Sequence, residues 1–270
     1  MMQTIFFWSA VSLYAVATAM FFIWAAFGKD WGDRWGNRLA AVGLLPHAVS
    51  LGLRWAEVGH GPYNTQYEVL SSNAFILICA YVLSSRFVKS IRSLGVFVLP
   101  AAFLMMGWAV SSFEVKKEVP IIFKSYWLFL HIAFAKAFAA TVILASCCAI
   151  LYLIQSRKGG LSRFPSRERL DLYSHQFLLI SFLFLGVMIV AGSLWAHQSW
   201  GRYWAWDPIE TSALVTWVVM GIILHFRTLH HWSGTRMAYL TLVGLVFAIL
   251  TLFVVTLVMP TVHNSYMVGK

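Results

Sequence analysis

The chain has 270 residues, of which 60% are hydrophobic and only 11% are charged, and its formal net charge is +10. With a mean hydropathy of +0.74, this composition excludes an ordinary soluble globular protein and indicates an integral membrane protein. Membrane topology accounts for the surplus of basic residues, so we expect no nucleic-acid partner.

Continuous apolar runs predict the secondary structure. A transmembrane helix needs about 20 apolar residues, whereas a barrel strand is about half as long and alternates in polarity. We therefore expect an all-α, polytopic helical bundle that forms a single integral-membrane domain over residues 1–270. The runs predict eight spans, at 3–27, 39–58, 67–88, 93–112, 126–155, 174–196, 211–231 and 237–258. The first span lacks a basic leader and a small-residue cleavage site, which indicates a retained helix.

Basic residues are concentrated in alternate loops, and short loops rich in Lys and Arg stay on the cytoplasmic side of a membrane. They fall between spans one and two, three and four, five and six, and seven and eight: Lys29, Arg34, Arg38, Arg86, Lys89, Arg92, Arg157, Lys158, Arg163, Arg167, Arg169, Arg227 and Arg236. We therefore expect both termini and the loop near 197–211 on the extracytoplasmic side.

The three cysteines lie inside predicted helices and form neither a CxxC nor a CxxCH motif. They are Cys79, Cys147 and Cys148. We interpret them as small buried apolar residues, and we expect no covalently attached heme on this chain.

A dense aromatic block, Trp-Gly-Arg-Tyr-Trp-Ala-Trp-Asp-Pro-Ile-Glu-Thr at 200–211, lies between the sixth and seventh spans. Such a block at the membrane–water boundary is either an ordinary aromatic belt or a platform for a flat, apolar macrocycle. The platform would consist of Trp200, Gly201, Tyr203, Trp204, Trp206, Asp207 and Pro208. Asp207 is also expected to cap the seventh helix, with Pro208 and Glu210 in its first turn.

Two histidines favour the platform interpretation. His131 lies near the outer end of the fifth span, and His263 follows the eighth span, so both are expected on the side of the aromatic block. Neutral imidazole is a common axial ligand of heme iron. The two histidines therefore predict a bis-histidine heme site beside the block.

A third histidine, His225, lies about 14 residues into the seventh span, or roughly 21 Å from its outer end. Because ionisable residues inside a membrane are costly, we expect His225 to ligate heme iron at a second, inner site. Its partner ligand is either His47, beside Pro46 in the second span, or a histidine of another chain. Alternatively, His47 satisfies backbone groups near the proline.

Basic residues near the outer face are candidates for pairing with heme propionates. The candidates are Arg202, Lys136 and Arg54. For each of them, contact with lipid headgroups is the competing interpretation.

The aromatic block resembles the WWD signature of heme-handling membrane proteins, and its Asp-Pro-Ile-Glu-Thr ending is most similar to the CcsA (ResC) family of System II cytochrome c biogenesis. His131 and His263 match the family's two external histidines, and His225 matches its transmembrane histidine. The stretch Gly-His-Gly-Pro-Tyr-Asn-Thr-Gln-Tyr-Glu at 59–68 resembles the family's amino-terminal outer loop. Three positions depart from the family pattern. Arg202 replaces a small residue, Ile209 replaces Lys, and Asn264 stands between His263 and the Ser-Tyr pair that follows it.

The resemblance implies that the chain moves heme b to the outer face and holds its iron between His131 and His263. It implies an enzyme, a subunit of a cytochrome c synthase (heme lyase) that presents heme for thioether attachment to the CxxCH motif of apocytochrome c. It also implies a CcsB (ResB)-like membrane partner that supplies the second inner histidine, and thiol-reducing proteins that act indirectly. The implied location is a bacterial cytoplasmic membrane, with the thylakoid membrane as the alternative. No residue is assigned as a general base.

Two other functions remain open. A heme exporter or chaperone of the CcmC type would pass heme to a carrier without ligation, but the Asp-Pro-Ile-Glu ending and the eight spans argue against it. A HemX-like regulator of heme biosynthesis would have a similar length, but the complete set of His131, His225 and His263 argues against it.

Overall fold

The computed structural model describes residues 2–112, 124–157 and 162–259. These residues contain eight helices that are long and apolar enough to cross a membrane, which confirms the predicted all-α polytopic fold. His263 lies outside the described residues, so its predicted role stays a prediction.

The helices form two compact units. Unit 1 comprises Met1–Glu118 with Gly159–Pro165, and unit 2 comprises Val119–Lys158 with Ser166–Lys270. The expectation of a single domain over 1–270 stays a prediction. Unit 1 contains α1 (Met2–Phe27), α2 (Trp31–Val58), α3 (Gln66–Phe87), a 3₁₀ helix (Lys89–Leu94) and α4 (Gly95–Ser111). Unit 2 contains α5 (Tyr126–Gln155), α6 (Arg167–Trp200), α7 (Pro208–Thr228), α8 (Thr235–Ile249), a π-helical turn (Leu250–Val254) and α9 (Val255–Val258).

Two helices begin well before the apolar run from which they were predicted. Helix α2 begins at Trp31 rather than at residue 39, so Arg34 and Arg38 belong to its first turns and not to a loop. The Arg38 guanidinium lies 5.2 Å from the centre of the Trp35 ring. Helix α6 likewise begins at Arg167 rather than at residue 174. Polar turns extend these helices because backbone hydrogen bonds continue beyond the apolar segment, which hydropathy alone does not detect.

Small residues allow α1 and α2 to pack closely in unit 1. A Cβ atom on Gly36 would lie 2.7 Å from the Phe21 ring, and one on Gly43 would lie 2.5 Å from the Tyr14 ring. Both rings are fully buried. Aromatic side chains of α1 therefore occupy the space that the glycines of α2 leave, as is common in membrane bundles.

Helices α5 and α6 are antiparallel in unit 2. Ser174 donates a hydrogen bond to the Ala145 carbonyl at 3.1 Å, and Ser181 donates one to the Phe138 carbonyl at 3.4 Å. As residue numbers rise along α6, they fall along α5. The beginning of α5, which carries His131, consequently meets the end of α6, which leads into the aromatic block.

Candidate functional site

The loop that carries the aromatic block is anchored at its first residue. Helix α6 ends at Trp200, and Gly201 adopts a left-handed conformation with φ of 71° while its N–H donates to the His197 carbonyl. A residue with a side chain is strained at this angle. Gly201 therefore has a structural role in turning the chain out of α6.

At the other end of the loop, Asp207 caps α7, as the sequence predicts. Its carboxylate accepts a hydrogen bond from the Ile209 N–H at 2.9 Å, and Pro208 occupies the first turn of the helix. Glu210 completes the capping box. The Asp-Pro-Ile-Glu sequence thus fixes where the loop ends and α7 begins.

Glu210 also sets the conformation of Trp206. One Glu210 carboxylate oxygen accepts hydrogen bonds from Ala205 N–H at 2.8 Å and from Asp207 N–H at 3.3 Å, on either side of Trp206. Trp206 has a φ of 58°, which is rare for a bulky residue, and its side chain is 71% exposed. The two hydrogen bonds offset the cost of this conformation.

We expect Glu210→Ala to loosen the loop without unfolding the chain. Loss of the capping box should destabilise the junction by about 1–2 kcal/mol. Hydrogen exchange of the amides at 201–207 should then become faster, while exchange elsewhere in unit 2 stays unchanged. Glu168→Ala, which alters the first turn of α6, is the matched control. Unchanged exchange in the loop of the Glu210 variant would show that the loop is held by other contacts.

A narrow cleft of about 40 Å³ lies beneath the aromatic block, entirely within unit 2. The cleft is lined by His131, Met188, Ile189, Gly192, Ser193, Trp195, Ala196, Trp200, Tyr203, Trp204, Ile209, Glu210 and Ala213. The structure therefore brings His131 together with part of the predicted platform, around a largely apolar space.

The contacts of His131 define its tautomer. Its Nδ1 lies 2.9 Å from the carbonyl oxygen of Met188 on α6. Because a carbonyl oxygen can only accept, Nδ1 must carry the proton, and the lone pair of the neutral ring is on Nε2. A metal-ligating histidine commonly has this arrangement, in which the second nitrogen donates to a backbone carbonyl.

Gly192 makes this contact sterically feasible. A Cβ atom on Gly192 would lie 2.6 Å from His131 Nδ1, a distance at which one of the two groups must move. Gly192 is one helical turn after Met188, so the imidazole lies across the α6 backbone where no side chain intervenes.

Trp195 is a residue of the cleft that the sequence analysis did not identify. Its ring stacks on His131 with centroids 6.4 Å apart, and it meets Trp200 edge-on at 4.9 Å. It is buried, at 3% exposure. Its position in an apolar helix, five residues before Trp200, is typical of an ordinary core residue. Its contact with His131 depends on the register of α5 against α6 and could not be read from the sequence.

The platform residues divide into two groups. Trp200, Tyr203 and Trp204 line the cleft, and Tyr203 also stacks on His197 with centroids 4.1 Å apart. In the described structure, Gly201, Trp206, Asp207 and Pro208 are outside the lining. Gly201, Asp207 and Pro208 form the ends of the loop, and Trp206 faces outward.

His225 lies in the last turn of α7, which ends at Thr228 rather than at the predicted residue 231. It is 17 residues after Pro208, or about 26 Å along the helix at 1.5 Å per residue. Its side chain is exposed. The His230 ring lies 5.9 Å from the His225 ring, so this chain has a second imidazole beside it.

The structure gives His47 a role in the core of unit 1. The residue is fully buried, with Nδ1 3.3 Å from the Tyr14 hydroxyl and Nε2 3.1 Å from the Ser71 hydroxyl. Both ring nitrogens are thus engaged by neighbouring side chains. This arrangement supports the structural interpretation over that of a heme ligand.

The three candidates for propionate binding have different surroundings. Arg202 is exposed directly after Gly201, and Lys136 is partly buried on α5, five residues after His131. Arg54 is buried in unit 1, where its Nε donates to Glu68 at 3.1 Å. Glu68 also accepts from Asn64 N–H at 3.1 Å and forms the capping box of α3. Arg54 therefore has a structural partner that hydropathy could not indicate.

We expect Arg54→Met to destabilise the chain rather than to weaken ligand binding in unit 2. It would leave the Glu68 carboxylate buried without its cation, which typically costs about 3–5 kcal/mol. Thermal unfolding of the purified chain should show a lowered Tm, whereas Arg38→Met, at an exposed position, should change stability by about 0.5 kcal/mol or less. Loss of heme at unchanged Tm would instead assign Arg54 to propionate binding.

The buried position of Cys147 and Cys148 confirms the interpretation of these two residues as apolar packing groups. Cys79 is partly buried in α3.

Residues 63–263 match the family model described as cytochrome c assembly protein. The chain is 32% identical to the cytochrome c biogenesis protein CcsA of Guillardia theta, with 73% of this chain and 74% of that protein aligned. The CcsA of Chlamydomonas reinhardtii is 33% identical over 76% of this chain and 61% of its own length. The CcsA of Gloeobacter violaceus is 26% identical, and the alignment covers 95% of this chain and 94% of the relative.

Among solved structures, the fold is similar to that of the cytochrome c heme lyase CcmF. The TM-score is 0.70 at 13% sequence identity, over 93% of this chain. This chain spans about half of the CcmF chain, since the match covers 46% of it.

Proposed function

The chain belongs to the cytochrome c assembly protein family, and we propose that it is a subunit of a cytochrome c synthase. In this proposal it brings heme b to the extracytoplasmic face of the membrane and presents it to the CxxCH motif of apocytochrome c. Its relatives are named cytochrome c biogenesis proteins, and its eight apolar helices make it an integral membrane protein.

The cleft between His131 and the aromatic block is the observation that carries the proposal. Its lining is largely apolar and aromatic, which suits a flat macrocycle, and the His131 Nε2 lone pair suits iron. These residues fit heme. His131 would provide one axial ligand, Trp200, Tyr203 and Trp204 would contact the macrocycle, and Arg202 and Lys136 are the candidates for the propionates. His263 is proposed as the second axial ligand on the basis of the family resemblance.

Positioning is the contribution that we assign to the residues of this chain. When heme is bound, its vinyl groups supply the chemistry: each cysteine S–H adds across a vinyl double bond, forming one C–S and one C–H bond with no net oxidation. Met188 orients the His131 ring, and Glu210 and Asp207 hold the loop over the cleft. The aromatic side chains exclude water from the macrocycle. Such positioning can contribute a large part of a rate enhancement.

His225 is proposed as a ligand for heme that approaches from the cytoplasmic side. It lies about 26 Å along α7 from Pro208, at the end of the helix opposite the cleft. His230, whose ring lies 5.9 Å away, and a histidine of a CcsB-like partner are the two candidates for its mate. The topology, with both termini and the aromatic block outside the cytoplasm, belongs to the same proposal.

Co-expression tests the proposed function. The chain is expressed with a CcsB-like membrane protein and a secreted CxxCH reporter, in cells that lack their own cytochrome c maturation system. We expect covalent heme in the reporter and non-covalent heme in the purified membrane complex.

The alternatives give different results in the same cells. Heme in the complex with none on the reporter would indicate an exporter of the CcmC type. A complex without heme, in cells whose heme synthesis changes with its expression, would indicate a HemX-like regulator. Either result overturns the synthase proposal.

A further inference from the structure

A second cavity, of about 160 Å³, lies at one end of unit 1 and has no part in the proposed heme site. It is bounded by the last turn of α1, the first turn of α2, the 3₁₀ helix and residues 163–165. Its described lining contains three basic side chains, Lys89, Arg92 and Arg163, and one acidic side chain, Asp33. The formal charge of this lining is therefore +2, which favours an anion.

The 3₁₀ helix brings two of the basic residues together. Lys89 and Arg92 are three positions apart, and in a 3₁₀ helix residues i and i+3 lie one above the other. The Tyr81 hydroxyl fixes this segment by donating to the Arg92 carbonyl at 2.9 Å. Among residues 2–112, 124–157 and 162–259, the buried Nε of Arg92 has no hydrogen-bond partner. A buried guanidinium N–H normally has a partner, so this contact is missing at Arg92 while its side chain lines the cavity.

Arg163 is held over the same cavity from another part of unit 1. Its Nη1 donates to the Ala25 carbonyl, near the end of α1, at 2.9 Å. Gly28, with φ of 69°, allows this approach, because a Cβ atom there would lie 2.6 Å from the Arg163 Cζ. The guanidinium is thus positioned by backbone contacts, and its charge is not neutralised by a carboxylate in that contact.

The cavity also has an apolar wall. Trp24 and Phe164 meet edge-to-face with their ring centres 5.0 Å apart, and both line the space. A free phosphate ion would gain nothing from these rings, whereas a lipid presents a charged headgroup joined to an apolar body. Trp is enriched at the level of the headgroups, where helices such as α1 leave the hydrocarbon.

We propose that this cavity binds the headgroup of an anionic phospholipid at the cytoplasmic end of unit 1. The phosphate lies against Lys89, Arg92 and Arg163, and the glycerol and first methylenes lie against Trp24 and Phe164. Basic pockets between transmembrane helices on this side of a membrane bind anionic headgroups by the same chemistry. The cytoplasmic placement rests on the topology given with the proposed function, whereas the lipid contacts do not depend on heme binding to the cleft in unit 2.

Lipid titration of the purified full-length chain in detergent tests this site. The rise in Tm on addition of dioleoylphosphatidylglycerol gives an apparent affinity, and dioleoylphosphatidylcholine is the zwitterionic comparison. We expect phosphatidylglycerol to bind more tightly to the wild type. Lys89→Gln, Arg92→Gln and Arg163→Gln together should lower its affinity by about 100-fold, since each basic residue contributes about fivefold.

A triple variant with the same change in charge serves as the control. Arg34→Gln, Arg86→Gln and Arg169→Gln remove three basic residues outside the cavity, and this variant should keep the wild-type affinity within about twofold. Arg92→Lys retains the charge and lacks the Nε atom. Because the charge is kept, it should lower the affinity by less than the roughly fivefold expected for removal of one charge, and it can be measured if the triple variant does not fold.

Three outcomes would overturn the proposal. The first is equal loss of affinity in the cavity and control variants, which would indicate a diffuse surface charge. The second is stabilisation by sodium phosphate at the concentration that suffices for phosphatidylglycerol, which would indicate a free-phosphate site. The third is unchanged lipid affinity with loss of bound heme, which would assign the cavity to heme carboxylates.

Discussion

Replacing His131 with glycine is expected to lower the heme content of the purified complex by at least about tenfold. The loss follows because His131 is the histidine in the described lining of the cleft, and its Nδ1 is committed to the Met188 carbonyl. Heme per chain is measured from the absorbance of the pyridine complex, and the unextracted spectrum reports the ligation of iron. Added imidazole should enter the vacated space and restore part of the absorbance.

His231→Gly is the matched control for this change. His231 is exposed in unit 2 and has a φ of 52°, a conformation that glycine adopts without strain. The control should keep the wild-type heme content. Equal heme in the His131 variant and the wild type would remove His131 from the site.

Replacing Gly192 with alanine is expected to lower heme affinity by about 10–100-fold, although the substitution adds a single methyl group outside the set of ligands. The new Cβ would lie 2.6 Å from His131 Nδ1, so the imidazole must leave its hydrogen bond to Met188. Alanine has a higher helix propensity than glycine, so α6 itself is not weakened. Heme titration followed by absorbance measures the effect.

Two controls separate this positioning effect from general damage to unit 2. Gly221→Ala introduces a Cβ at an ordinary contact distance of 3.4 Å from Phe182 and should leave heme affinity unchanged. In a His131→Gly background, Gly192→Ala should add little further loss, because both changes act on the same imidazole. Additive losses in the double variant would show that Gly192 acts on heme directly or through the packing of α6.

Much of the fold could be predicted from local sequence. The apolar runs indicate eight spans because the membrane imposes a minimum length on each helix. The Asp-Pro-Ile-Glu sequence indicates the start of α7 because the capping box involves residues only three positions apart. Helix starts in polar sequence, as at Trp31 and Arg167, were missed because hydropathy does not report backbone hydrogen bonding.

The parts of the site that depend on helix register could not be predicted. His131 and Met188 are 57 residues apart, so their hydrogen bond requires knowledge of how α5 pairs with α6. The same register brings Gly192 and Trp195 to His131, and nothing in the local sequence marks either residue. Arg54 and Glu68 are only 14 residues apart, yet their pairing depends on the turn between α2 and α3. The propionate role of Arg54, which charge and position suggest, stays a prediction.

The outward position of Trp206 illustrates a further limit. From the sequence, Trp206 is expected to form one aromatic surface with Trp200 and Trp204. The backbone angle that turns it away depends on two amide hydrogen bonds to Glu210. Spacing in the sequence does not contain this information, because the loop between α6 and α7 has no regular period.

The most direct test of the proposed heme-presenting cleft is the covalent heme content of a CxxCH reporter, matured by wild-type or His131→Gly chains of equal abundance. The proposal predicts heme-containing reporter with the wild type, background levels with the variant, and partial recovery when imidazole is added to the cells. A reporter that carries the wild-type amount of heme in the His131→Gly cells would contradict it.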